Sequence, residues 1–150
     1  MLKLLLGLLL AMQAEPPIAP EPSRYFDGQV WEYHTRPGEE RSLLKIQRIE
    51  TYPGNPDGSD GKVYHISVVG VRLGGATAPM TLQHLPVSSR TLDASVTRLA
   101  TWNADFPSAE EGIGAWRQAR GGMFHIPMTE IIAAADAAMA RQRARDAAGN

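Results

Sequence analysis

Histidine is the side chain that moves protons most readily near neutral pH, and its ring nitrogens also hold metals. The chain carries four: His34, His65, His84 and His125. No two stand at the i, i+4 spacing that puts a metal pair on one helix face, and no HExxH motif occurs. A site assembled from separate strands is the arrangement left open, with His65 and His84 as its pair. The plainer reading of each is a hydrogen-bonded, partly buried ring. Neither a metal nor any other cofactor is expected.

A second group gathers around the segment Arg36-Pro37-Gly38-Glu39, where Tyr33, Thr35 and Glu40 flank a guanidinium and a carboxylate. Arginine presents two parallel donors that fit a carboxylate or phosphate. Tyr33, Arg36 and Glu39, together with His65 and His84, are therefore the candidate ligand-binding set. The competing reading pairs Arg36 with Glu39 or Glu40 on its own turn, while Tyr33 packs inward. Trp116-Arg117 is the third feature. Such a pair anchors protein interfaces when exposed, whereas a buried Trp116 would fix its helix to the sheet.

Other chemistries lack their residues. The absence of cysteine excludes disulfides, thiol catalysis and Cys-based zinc sites. No Gly-x-Ser-x-Gly occurs, and the glycines fit neither a P-loop nor GxGxxG. No catalytic residue can be named. With 15 Lys and Arg against 16 Asp and Glu, the chain has no electrostatic footprint for nucleic acid.

A few elements must position these side chains. Residues 29–35 alternate Trp31 and Tyr33 against Val30, Glu32 and His34, the period of a strand with unequal faces. Pro37 and Gly38 suit the two central positions of a type II turn. A second strand over 42–52 carries Leu44 and Ile46 on one face but Ile49 on the other, which calls for a bulge or a change of face. The Pro, Gly, Asn and Asp of 53–61 predict a loop. Residues 62–73 are apolar on both faces, as a central strand should be. A fourth strand is expected over 80–85, giving an antiparallel meander.

Beyond Pro86 the period becomes helical. Leu92, Val96, Leu99 and Ala100 predict a helix over 89–101, capped by Ser88 or Ser89. Ser108-Ala109-Glu110-Glu111 has the spacing of a capping box and predicts a short helix to Gly121-Gly122, weakened by Gly112 and Gly114. One more strand is expected over 123–126. Pro127 then opens a C-terminal helix with an apolar stripe of Met128, Ile131, Ile132, Ala135 and Met139, fraying after Arg145.

The N-terminus addresses the chain. Lys3, an apolar run from Leu4 to Ala11 and Ala14 have the order of an export signal. Gln13, Glu15 and two prolines interrupt it well short of the roughly 20 residues a spanning helix needs. Residues 1–14 are thus expected to be a signal peptide, 15–24 a proline-rich tether, 25–145 one folded domain and 146–150 a frayed tail. The destination is the periplasm or the exterior, with no stable membrane span after cleavage.

The run Gly28-Gln29-Val30-Trp31-Glu32-Tyr33-His34-Thr35-Arg36-Pro37-Gly38-Glu39, then Thr91 to Val96, and Trp116-Arg117 through Gly121-Gly122-Met123-Phe124 with Pro127, resembles an uncharacterised family of small bacterial proteins. The resemblance implies bacterial origin and a single α+β domain, and brings no activity or site residue. The expectation is an α+β fold, an antiparallel sheet of three to five strands against about three helices. Its expected role is that of a non-enzymatic envelope protein binding another envelope protein, as an inhibitor or immunity protein does. The alternative is a small-ligand binder or hydrolytic enzyme, which requires His65 and His84 to converge in one pocket with Arg36 or Glu39.

Overall fold

The computed structural model describes residues 22–54 and 60–149. The leader at 1–14 and most of the tether over 15–24 lie outside these residues. The architecture is α+β: one five-stranded antiparallel sheet and three helices. The strands are β1 (Val30–Tyr33), β2 (Leu43–Thr51), β3 (Lys62–Val71), β4 (Met80–Val87) and β5 (Val96–Leu99). The helices are α1 (Ser89–Ser95), α2 (Glu110–Gln118) and α3 (Met128–Ala148). The sheet order is β4-β3-β2-β1-β5, so the meander is closed on its β1 side by a strand that returns after α1. Among the described residues no helix is long and apolar enough to cross a membrane.

Alternation along β3 divides the sheet into two covered faces. Tyr64, Ile66 and Val68 point into the main core with Leu92 of α1 and Met128, Ile131 and Ile132 of α3. His65 and Ser67, equally buried, point to the opposite face, where α2 lies. Burial on both sides is what the continuous apolar run required.

Two irregularities turn side chains toward the α2 face. Ile46 pairs with Ile66 and Arg48 with His65, so Gln47 is an extra residue in β2. The bulge shifts the parity, and Ile49 follows Leu44 and Ile46 into the core side, opposite Tyr64. Arg48 and Glu50 are thereby rotated out of the core, to meet Glu110 and Arg117 of α2. In β4, Leu82 pairs with Val68 and Leu85 with Ile66, three residues against two, and His84 turns to His65's side. Bulges re-aim side chains in this way.

Three expectations are corrected. The helix over 89–101 is short: α1, capped by Ser88 Oγ receiving the Thr91 amide at 3.4 Å, stops at Ser95, and Val96 is extended (φ −73°, ψ 148°). The spacing of Leu92, Val96 and Leu99 suits either element, but the open edge of β1 supplies a ladder, with Glu32 opposite Arg98 and a 2.8 Å ion pair between them. β-branched Val96 and Thr97 fit that pleated surface. The capping box at Ser108 does not form. Ala109 holds the cap position in place of Ser108, which puts Glu111 at the second helical position rather than the third, and Ser108 Oγ receives the Glu110 amide at 3.2 Å. Over 123–126 only one bridge forms, Phe124 beside Val87, tied by Phe124 N–H to Pro86 O and Ser88 N–H to Phe124 O, both 2.9 Å. The C-terminal helix does carry its stripe inward, and it continues past Arg145 to Ala148.

Candidate functional site

Tyr33, Arg36 and Glu39 come together, but they spend their polar atoms on one another and on the scaffold. Gly38 takes φ +86° in the turn, as the third residue of a type II turn must. The turn lets Arg36 fork onto Glu39 at 3.0 and 2.6 Å while a second terminal nitrogen reaches Asp136 of α3 at 2.8 Å. Arg36 also donates to the Arg72 carbonyl at 2.8 Å. Burial pushes the Glu39 carboxyl up, but Arg36 and the Arg72 amide outweigh it and hold the group below its ordinary range. Tyr33 Oη is 2.6 Å from Ser42 Oγ, and burial pushes the phenol up to about 12. The local pairing of the competing reading is present for Tyr33, Arg36 and Glu39: they pin the β1–β2 turn to α3.

Ser42 starts the sequence Ser42-Leu43-Leu44-Lys45, which has the Ser-x-x-Lys spacing of some serine nucleophiles. On a strand that spacing puts the two side chains on opposite faces. Ser42 Oγ is also committed to Val69 O at 2.7 Å, so no lysine-activated serine results.

His65 and His84 do meet. His65 Nδ1 lies 2.9 Å from His84 Nε2, with the rings stacked at 5.1 Å. They lie on the α2 face, across the sheet from Arg36 and Asp136, so the pair shares no pocket with Arg36 or Glu39. His65 has no exposed surface. Desolvation, then the neighbouring His84, lowers its pKa to about 4, and desolvation lowers that of His84. Both rings are neutral at pH 7. His65 Nε2 faces Glu50 Oε2 at 3.6 Å, beyond hydrogen-bonding distance. Gly112 is what admits His84 beneath α2, because a Cβ there would stand 2.6 Å from His84 Cβ. The glycine that weakens the helix is required by the packing.

Trp116 covers His65. Its ring meets His65 edge-on at 4.7 Å and tilts against Tyr52 at 6.1 Å, while its Nε1–H donates to Gly122 O at 2.7 Å. Arg117 is bound to Glu50 and still 46 % exposed; that guanidinium holds the Glu50 carboxyl below its usual range. Trp116 is half-buried: it fastens α2 to the sheet and shows one side to solvent.

That side forms a wall of an open cleft of about 360 Å³, whose lining includes Tyr52, Pro53, Trp116, Arg117 and Arg120. Arg120 is the residue that sequence reasoning missed. It follows the helix in the left-handed region (φ 47°), and the Gly121 amide closes on Trp116 O at 2.9 Å and its own amide on Arg117 O at 3.2 Å. This is the Schellman closure, in which the left-handed position normally belongs to glycine. A side chain there costs on the order of 1 kcal/mol. The adjacent Gly121-Gly122 disguised it, since either glycine looked like the natural stop.

The comparisons with known proteins come to rest here. No protein-family model, no curated protein and no solved structure matches the chain. The reading of the cleft stands on its own geometry.

Proposed function

We propose that this is an exported envelope protein that works as a non-enzymatic binding module, holding an acidic segment of another protein in the cleft of Tyr52, Trp116, Arg117 and Arg120. The observation that carries the reading is Arg120, kept in a conformation that glycine would adopt at lower cost and placed beside a second guanidinium and two aromatic rings. Backbone strain of this sort gathers at functional positions. Arginine and tryptophan side by side are also the commonest interface anchors. Two guanidiniums beside aromatic surface suit a carboxylate next to an apolar side chain.

The order of Lys3, the apolar run and Ala14 supports export. A hydrolytic role for the histidines has less behind it, since His65 is sealed beneath Trp116 and its Nδ1 is taken by His84.

The test is affinity capture from envelope extract of the protein's own host, with wild type, Trp116→Ala and Arg120→Glu as baits and mass spectrometry as readout. A stoichiometric partner held by wild type and lost from both variants, each shown folded by circular dichroism, is the expected result. A partner held equally by all three, or none held by wild type, would reject the reading.

A further inference from the structure

A second cavity lies on the other face of the sheet, away from the Trp116 cleft. It is an open pocket of about 620 Å³ between residues 22–25, the start of β3 and α1. Its floor is aromatic. Tyr25 and Tyr64, both buried, meet edge to face at 5.6 Å, and Tyr25 meets Trp31 in the same way at 5.7 Å. Each phenol donates to a carboxylate, Tyr25 to Asp93 at 2.6 Å and Tyr64 to Asp60 at 2.5 Å. Burial and these acceptors push both phenols well above their ordinary range, so the tyrosines are fixed donors.

Two cations share the walls, Lys62 and Arg24, the latter 5.0 Å from the Tyr25 ring centre. Among the described residues neither cation forms an ion pair with Asp60 or Asp93, although all four line one space. Opposite charges facing one cavity without pairing match a ligand that carries both signs. The aromatic floor adds a seat for an apolar body, and the volume falls within the usual range of small-ligand sites.

We infer that this cavity binds a small zwitterion with an apolar side chain, an amino acid or short peptide, its ammonium toward Asp60 and Asp93 and its carboxylate toward Lys62 and Arg24. The site owes nothing to the Trp116 cleft, and the two stand or fall separately.

The probe is glycyl-L-phenylalanine, titrated into the ¹⁵N-labelled protein, with two controls that each lack one charge: its C-terminal amide and its N-acetyl derivative. The dipeptide is expected to give saturable amide shifts at residues 23–25, 60–64 and 93, with a Kd in the range of about 0.1–1 mM. Either control should bind roughly tenfold more weakly, and Lys62→Gln and Asp93→Asn should each weaken the dipeptide by a similar factor. Asp93→Asn keeps an oxygen for Tyr25 and Lys62→Gln removes a half-buried charge at the start of β3, so an unchanged amide spectrum shows that both fold. Absence of saturable shifts up to about 10 mM, or equal binding of the dipeptide and either control, would overturn the assignment.

Discussion

At the residue scale, the most exposed commitment is the neutral, buried His65. Its folded pKa of about 4 lies below the ordinary value of 6.5, so the unfolded chain takes up the proton first as pH falls. Stability is therefore full above pH 6.5 and declines between pH 6.5 and 4. The loss is on the order of 3 kcal/mol, read as the drop in unfolding free energy between pH 7 and 4 in urea titrations. Glu50, held below its usual range by Arg117, acts in the same direction at the acidic end. His65→Gln should flatten the profile by roughly 2 kcal/mol, and an unchanged slope would show that His65 is not its source. Gly112 gives an independent check on the same packing. Alanine should favour a helix by about 1 kcal/mol, yet Gly112→Ala is expected to destabilise by about 1–2 kcal/mol because its Cβ strikes His84. His84→Gly, which removes the struck Cβ, should recover most of that loss as coupling in a double-mutant cycle. The sequence made the His65 and His84 pairing legible as strand partners. Glu50 and Arg120 were hidden, one by a parity shift and the other by two glycines beside it.

At the element scale, what could be read was what local pattern decides. The four meander strands, the Pro37-Gly38 turn and the stripe of α3 follow from periodicity and turn chemistry. The bulge in β2 was legible too, because Leu44, Ile46 and Ile49 cannot share one face of a regular strand. β5 was not: its apolar spacing is helical, and only the unpaired edge of β1, a long-range partner, decides for a strand. The failed capping box has a local origin: α2 starts at Glu110 behind Ala109, so Glu111 is no longer three residues from the cap. The Arg36 cluster joins elements far apart in the chain, the β1–β2 turn and α3. Arg36→Leu would leave the Glu39 carboxylate, only 4 % exposed, without its cation. The expected cost is about 2–3 kcal/mol in denaturant unfolding, with faster hydrogen exchange in the 36–42 turn. A loss below about 0.5 kcal/mol would mean that the cluster contributes no more than a surface pair.

At the scale of the whole molecule, the sheet separates three tasks. Its α3 face holds the main core, its α2 face carries His65 sealed under Trp116 with the half-buried His84 beside it, and the cleft beside that helix is the docking site we propose. Export predicts that the mature chain begins near residue 15 in the periplasmic or secreted fraction; N-terminal sequencing that finds Met1 there, or the chain in the cytoplasm, would contradict it. The central claim is narrower, that a partner seats on Trp116. Its indole Nε1–H, now bound to the Gly122 carbonyl, is a private reporter beside those of Trp31 and Trp102. The decisive measurement is a ¹⁵N–¹H titration of the labelled protein with the captured partner. The account predicts that the Trp116 indole signal shifts saturably while that of buried Trp31 stays in place, and that Arg120→Glu abolishes the shift. A complex that forms with the Trp116 signal unmoved would contradict it.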